Sequence, residues 1–153
     1  MLAAGGKAPK FSLRDRAGSA WSLASILERG PALLALYKVS CPVCQLTAPY
    51  LERLANGSLQ MIAISQDDAA ATQKFEQTYG LTAPSLLDRK EDGYPLSNAL
   101  GIDHVPSLFL IEPDGAISYA GSGFSKSELD QLGARAGVAV FRQGENVPEW
   151  KAG

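Results

Sequence analysis

The sequence is short of the residues that hold metals and cofactors. Its 153 residues include two cysteines and one histidine, whereas a structural zinc site usually takes four nitrogen or sulfur ligands. No metal and no cofactor is therefore expected. The sequence also has no basic block and a net charge of −2, so it does not indicate a nucleic-acid partner.

Long hydrophobic stretches are absent as well. The longest apolar run, residues 31–37, is much shorter than the roughly 20 residues of a membrane-spanning helix, so no membrane span is expected. Residues 1–10 lack the charged and apolar regions of a secretory signal. The expected location is therefore cytoplasmic, and a periplasmic or exported protein is expected instead if a leader segment normally precedes this sequence.

The order of apolar and amphipathic segments predicts an α/β fold. The length suggests one domain over residues 1–153, and continuous apolar runs are typical of strands that are buried on both faces. Together the segments predict a central mixed β-sheet flanked by helices, with an N-terminal β-hairpin. Strands are predicted at 11–13, 20–23, 32–39, 59–65, 85–87, 107–111 and 116–120, and helices at 25–29, 41–56, 69–79, 94–100 and 125–136.

Two local features carry further structural predictions. Gly57 follows the helix predicted at 41–56 and is typical of a helix C-terminal cap. Residues 138–153 form a tail that is predicted to contain a short strand followed by a docked coil. Phe141 and Trp150 are the expected anchors of this tail, because they are its large apolar side chains.

The two cysteines lie three residues apart, in Cys41-Pro42-Val43-Cys44. A disulfide between them would close almost no loop and would do little to the entropy of the unfolded chain, which favours chemistry over stapling. Cys41 stands at the predicted start of a helix, where free N–H groups and the helix dipole stabilise a thiolate. Cys41 is therefore the expected attacking thiol, and Cys44, one turn inside, the resolving thiol.

A lone pair of cysteines at this spacing has other interpretations. The two residues could be buried structural thiols, or half of a zinc site that lacks its other ligands. A c-type haem would need a histidine directly after the second cysteine, and that residue is Gln45. A redox pair is the interpretation favoured by its position after a buried strand.

Two residues farther along belong with the cysteines. Pro106 precedes the strand predicted at 107–111, a position where proline is tolerated, and on base rates alone its peptide bond would be trans. His104 is the single histidine. It is either a surface residue without a role or, two residues before Pro106, a group near the sulfurs that tunes their charge.

With these residues in place, the sequence resembles the thioredoxin-like superfamily. It is most similar to the redoxin branch, which includes the TlpA/ResA-type thiol-disulfide oxidoreductases and the alkyl hydroperoxide reductase/thiol-specific antioxidant family. The resemblance covers about residues 6–137. It rests on the opening at 6–13, on the CxxC motif at 41–44, on Pro49, and on a G-x-x-x-V-P loop with its strand at 101–111.

This resemblance implies a thioredoxin-like fold and a thiol-disulfide oxidoreductase that works through Cys41 and Cys44. It implies that Pro106 is cis and packs beside the pair, as a third catalytic residue. The backbone of Val105 is expected to pair with an extended peptide, and Pro42 and Val43 complete the expected substrate-binding set. The expected partner is a disulfide-containing protein or a small-molecule thiol, and no prediction of oligomeric state follows.

The sequence departs from the family pattern at the positions that usually carry a proton-handling acid. Those positions hold Ala35 and Thr47, so Lys38, His104 or water is expected to serve instead. The peroxidase motif P-x-x-x-T-x-x-C is also missing, with Leu34 and Lys38 at its first two defined positions. A thiol-dependent peroxidase and a non-catalytic redox-sensing module remain the alternative functions.

Overall fold

The computed structural model describes all residues 1–153, and nine strands and five α-helices make up most of its regular structure. The strands are β1 (Ser12–Asp15), β2 (Ala20–Ser22), β3 (Ala32–Tyr37), β4 (Gln60–Ser65), β5 (Ser85–Leu87), β6 (Ser107–Ile111), β7 (Ile117–Ser122), β8 (Phe124–Ser125) and β9 (Trp150–Lys151). The helices are α1 (Leu23–Leu27), α2 (Pro42–Ala55), α3 (Ala69–Tyr79), α4 (Pro95–Leu100) and α5 (Lys126–Ala136).

Seven strands form one mixed sheet in the order β2-β1-β5-β4-β3-β6-β7. Strand β3 runs parallel to β4 and antiparallel to β6, and β1 and β2 form the N-terminal hairpin. The predicted central mixed sheet with its hairpin is confirmed. No helix combines the length and the apolar character that crossing a membrane would require.

The continuous apolar sequence of β3 reflects burial on both faces of the sheet. Leu33, Ala35 and Tyr37 belong to a core that also takes residues from α2, α3 and α5. Leu34 and Leu36 point to the other core, which includes residues of α1 and α4. Because side chains alternate along a strand, one apolar segment serves both cores and holds β3 at the centre of the molecule.

Strand pairing brings three chain segments to one edge of the sheet. Tyr37 at the end of β3 pairs with Ser65 at the end of β4. Leu36 pairs with Ser107 at the start of the antiparallel β6. The segments that follow β3 and β4 and the segment that precedes β6 therefore meet at the same edge.

Side chains of α2 hold the middle of the tail, and Trp150 does not anchor it. Arg53 of α2 donates to the carbonyl oxygen of Val140 at 2.7 Å and forms two hydrogen bonds with the Glu145 carboxylate, at 2.7 and 2.8 Å. The Phe141 ring lies 4.8 Å from the Tyr50 ring, so its predicted role as an anchor is confirmed.

Trp150 as an anchor was a wrong prediction, because its side chain is 61% exposed. It lies in β9, which pairs with β8 on one side in a two-stranded sheet. The predicted order of the tail is also reversed, since the coil comes first and the strand follows it. A two-residue strand at the edge of a fold offers backbone pairing without a second layer to cover the ring.

Candidate active site

Cys41 and Cys44 stand at the start of α2, and three residues separate Cys41 from the end of β3. Cys41 is the N-cap residue, and its sulfur accepts a hydrogen bond from the backbone N–H of Cys44 at 3.1 Å. Pro42 occupies the first turn, where a missing N–H costs no helical hydrogen bond. Both cysteines are free thiols in this structure, which therefore shows the dithiol form of the pair.

The two thiols differ in exposure, and burial changes the acidity of Cys44. Cys41 is half-buried, whereas Cys44 is 2% exposed. Burial raises the pKa of the Cys44 thiol well above its ordinary value, and the neighbouring Cys41 sulfur raises it further, both as a hydrogen-bond partner and as a like charge. A hydrogen bond from the Lys38 backbone N–H acts in the opposite direction. Cys44 therefore holds its proton until something nearby accepts it.

The Val105–Pro106 peptide bond is cis, as the family resemblance implied. Pro106 is buried, and Val105 is half-buried. The thiol of Cys41 donates a hydrogen bond to the carbonyl oxygen of Val105, with sulfur and oxygen 3.4 Å apart. This contact joins the start of α2 to the loop before β6.

The remaining residues predicted for the site lie around this contact. Pro42 is exposed, and Val43 is half-buried and packs against the core on the α2 side of the sheet. Lys38 is exposed, and the His104 side chain is 59% exposed, with Nδ1 2.7 Å from the Asp103 carboxylate. Neither Lys38 nor His104 forms a side-chain hydrogen bond with a cysteine.

Asp67 is a candidate that sequence reasoning missed. It follows β4, and its Oδ2 accepts a hydrogen bond from the Val39 backbone N–H at 2.8 Å. The preceding residue, Lys38, contributes the backbone interaction that lowers the pKa of the Cys44 thiol, and adjacent Cα atoms are about 3.8 Å apart. The carboxylate and the buried thiol thus flank the same short stretch of loop, and the Asp67 charge is a further cause of the raised pKa of Cys44.

The two positions where the family usually carries an acid offer no substitute. Ala35 and Thr47 are both fully buried, and the Thr47 hydroxyl donates to the Val43 carbonyl oxygen of its own helix at 2.6 Å. The pairing of β3 with β4 could have pointed to Asp67 from the sequence, since residues that follow adjacent parallel strands meet at one edge.

The site is built from few chemical groups. The structure gathers no cluster of three or more His, Cys, Asp or Glu side chains suited to a metal ion. What lies together is a dithiol, a helix N-terminus, a cis-proline loop and one carboxylate. With the mixed sheet and its flanking helices, these features define a thioredoxin-like dithiol oxidoreductase.

Comparison with known proteins identifies the family. The model of the AhpC/TSA family matches residues 4–120, and the chain belongs to this family. It is 26% identical over 136 residues to the thiol-disulfide oxidoreductase ResA of Geobacillus thermodenitrificans (strain NG80-2), a match that covers 85% of this chain and 76% of that relative. The predictions of a redoxin and of an oxidoreductase are confirmed.

Two other similarities bear on the function. The crystal structure of a secreted Mycobacterium tuberculosis disulfide oxidoreductase homologous to E. coli DsbE matches with a TM-score of 0.67 and 26% identity, over 82% of this chain and 95% of that one. Chloroplastic peroxiredoxin Q of Oryza sativa subsp. japonica is 30% identical over 125 residues, which covers 75% of this chain and 57% of that relative.

Proposed function

We propose that this chain exchanges electrons between its Cys41–Cys44 dithiol and the disulfides of proteins or small molecules. The observation that carries this proposal is the placement of the Cys41 sulfur. It accepts the Cys44 N–H at 3.1 Å and lies 3.4 Å from the Val105 carbonyl oxygen. A thiolate at that position is stabilised by the helix N-terminus and is half-exposed to an incoming disulfide.

In the first step, Cys41 loses its proton to solvent, and its thiolate attacks one sulfur of the substrate disulfide. A bond forms between Cys41 and that sulfur, the substrate S–S bond breaks, and the other substrate sulfur leaves as a thiolate. The Cys41 sulfur then no longer carries the negative charge that the backbone N–H of Cys44 stabilised. The result is a mixed disulfide between Cys41 and the substrate.

In the second step, Cys44 gives its proton to Asp67, directly or through one water. The Cys44 thiolate attacks the Cys41 sulfur, the Cys41–Cys44 disulfide forms, and the remaining substrate sulfur leaves as a thiolate that takes up a proton. The substrate has gained two electrons, and the pair has lost two. Asp67 takes the role assigned to the missing acids because it is the carboxylate adjoining the loop that contacts Cys44.

Substrate binding is assigned to the residues around the Cys41 sulfur. Pro42 and Val43 follow Cys41 in the sequence. Val105 is distant in the sequence, but its backbone lies beside the Cys41 sulfur. Pro106 is buried behind Val105 and acts as a positioning residue that holds this backbone next to Cys41. Lys38 and His104 are expected to act on the sulfurs only through their charge, because both side chains are exposed.

The partner and the compartment together set the direction of electron flow. Direction follows the reduction potential of the pair relative to its surroundings, where about 30 mV changes the balance by roughly 1.4 kcal/mol. A cytoplasmic location, the expectation from residues 1–10, would keep the pair reduced. The secreted Mycobacterium tuberculosis relative supports the exported alternative, in which the pair would act in an oxidising compartment.

Turnover with a generic disulfide tests the proposal. The wild-type chain should accelerate the reduction of insulin by dithiothreitol, and Cys41→Ala should return the rate to the uncatalysed value. A wild-type chain that leaves the rate unchanged, while its dithiol still oxidises and reduces, would support the redox-sensing module instead.

A peroxidase is the second candidate, favoured by the 30% identity to peroxiredoxin Q. In that reaction the Cys41 thiolate would attack a peroxide oxygen, the O–O bond would break, and Cys44 would resolve the resulting sulfenic acid with loss of water. The missing P-x-x-x-T-x-x-C pattern stands against it. Consumption of hydrogen peroxide faster than exchange with disulfides would favour the peroxidase.

A further inference from the structure

Residues 149–153, which we name the strap, include one strand of the second, two-stranded sheet and lie close to the site. The strap contains β9, whose Lys151 pairs with Phe124 and whose Trp150 pairs with Ser125 of β8. The backbone N–H of Lys126 extends this pairing with a hydrogen bond to the Glu149 carbonyl oxygen at 3.0 Å. Backbone pairing therefore holds the strap against β8.

The far end of the strap touches the cis-proline loop. A side chain at Gly153 would collide with the carbonyl oxygen of Val105, and its Cβ would lie 2.9 Å from the carbonyl carbon. A side chain at Gly123 would collide with the carbonyl oxygen of Lys151, and Gly123 in turn donates to the Pro106 carbonyl oxygen at 2.8 Å. The strap, Gly123 and the Val105–Pro106 bond are thus in direct contact.

The atom that the strap touches is also the atom that Cys41 touches. The Val105 carbonyl oxygen accepts the Cys41 thiol at a distance of 3.4 Å. Any polypeptide that brings a sulfur to Cys41 along the Val105 backbone must therefore use space that Gly153 occupies. A small disulfide, or one at the tip of a protruding loop, needs only the exposed part of the Cys41 sulfur.

The strap is placed so that it can be displaced. Residues 149–153 are all exposed, and Trp150 is 61% exposed. Release of the strap is therefore opposed by a short stretch of backbone pairing, the contact of Gly153 with Val105 and the Lys126–Glu149 ion pair. Segments with few buried contacts open at low free-energy cost. A partner that binds only the open form loses affinity in proportion to the fraction of open molecules.

We propose that the strap determines substrate specificity. It covers the backbone of Val105 and so favours small or protruding disulfides over extended peptides. An extended peptide reaches Cys41 only by displacing residues 149–153. This inference rests on the proposed dithiol exchange, because it concerns which disulfides enter that reaction.

The test compares two substrates across matched variants. Lys151→Pro removes the backbone N–H that β9 offers to β8, whereas Lys151→Ala removes only the side chain and serves as the control. Deletion of residues 149–153 is a second way to remove the strap. For each protein, kcat/KM is measured with 2-hydroxyethyl disulfide and with a linear peptide that carries a mixed disulfide with glutathione.

The ratio of peptide to small-disulfide kcat/KM should rise about tenfold in Lys151→Pro and in the deletion, mainly through a lower KM for the peptide. Lys151→Ala should keep the wild-type ratio. An unchanged ratio in both strap variants would overturn the inference and leave the proposed exchange in place. If the wild-type chain turned over neither substrate, the proposed exchange would be contradicted, and the strap inference would fail with it.

Discussion

Cys44 donates its backbone N–H to the sulfur of Cys41 at 3.1 Å. The residue that is proposed to resolve the mixed disulfide therefore also stabilises the charge of the attacking thiolate. The two functions belong to different atoms of Cys44, since the amide faces the Cys41 sulfur while the side chain is 2% exposed. One turn of helix thus separates an accessible sulfur from a protected one.

Removing each sulfur should stop the reaction at a different point. Cys44→Ala keeps the backbone N–H and the attacking thiol, so it should accumulate the mixed disulfide between Cys41 and substrate. Cys41→Ala should form no adduct, because Cys44 is buried. Intact-mass measurement under non-reducing conditions distinguishes the two. An adduct on Cys44 in the Cys41→Ala variant would contradict the assigned order of attack.

The reduced protein should react with one equivalent of iodoacetamide near neutral pH. Cys41 is half-buried and reachable, whereas burial raises the pKa of Cys44 and keeps that thiol protonated. Peptide mapping should locate the label on Cys41, and Cys44 should react only after denaturation. Equal labelling of both residues in the folded protein would mean that Cys44 is not protected.

Asp67→Asn should slow the second step and change its dependence on pH. Without the carboxylate, Cys44 must lose its proton to solvent, so the rate should fall by about 10²-fold at neutral pH and rise with pH. The raised pKa of Cys44 should also move downward, because the negative charge beside it is gone. Single-turnover release of the second substrate thiol, followed against pH, measures this.

Asp68→Asn is the matched control for that experiment. Asp68 is the neighbouring residue and caps α3 through a 2.8 Å hydrogen bond from the Ala71 N–H, a role that asparagine also performs well. It should keep the wild-type rate and pH profile. If both variants behaved like wild type, Asp67 would have no part in proton transfer.

The tail should loosen at acid pH through the Arg53–Glu145 ion pair. The hydrogen bonds from Arg53 lower the pKa of Glu145 from 4.5 to about 2. Because the folded-state pKa lies below the ordinary value, the pair stabilises the docked tail above about pH 4.5 and loses this contribution as pH falls towards 2. Hydrogen exchange of residues 138–147, relative to β3, should accelerate across that window.

Glu145→Gln should exchange faster at neutral pH and lose the acid dependence. Glu149→Gln is the control, because the Glu149 side chain is 83% exposed and its nearest cation, Lys126, is 3.9 Å away. A tail that stays protected to pH 2 in the wild type, or equal behaviour of the two variants, would show that another contact docks it.

The elements that could be predicted from the sequence are those whose pattern has one physical cause. The bounds predicted for β5, α3 and β6 agree with the structure residue for residue, because apolar runs and helical periodicity both report burial. The position of Cys41 was predictable for the same reason. The apolar run of β3 and the helical pattern of α2 together place Cys41 at the start of the helix.

Contacts between distant segments were beyond the sequence pattern. Gly57 was predicted as a helix cap, but Asn56 is the C-cap and a Cβ on Gly57 would lie 2.8 Å from the Cβ of Ala136. That glycine serves the close approach of α2 and α5. The parallel pairing of β3 and β4 places Asp67 near the site, but the contact of its carboxylate with the Val39 backbone is visible only in the folded structure.

The reduction potential of the Cys41–Cys44 pair is the decisive measurement for the proposed dithiol exchange. The protein is equilibrated with glutathione or dithiothreitol buffers of defined potential, the thiols are trapped by alkylation, and the oxidised fraction is measured by mass. We expect a single two-electron transition between dithiol and intramolecular disulfide, near −270 mV for a thioredoxin-like reductant or near −120 mV for a strong oxidant. If the protein forms no Cys41–Cys44 disulfide at any potential, the proposed exchange is wrong.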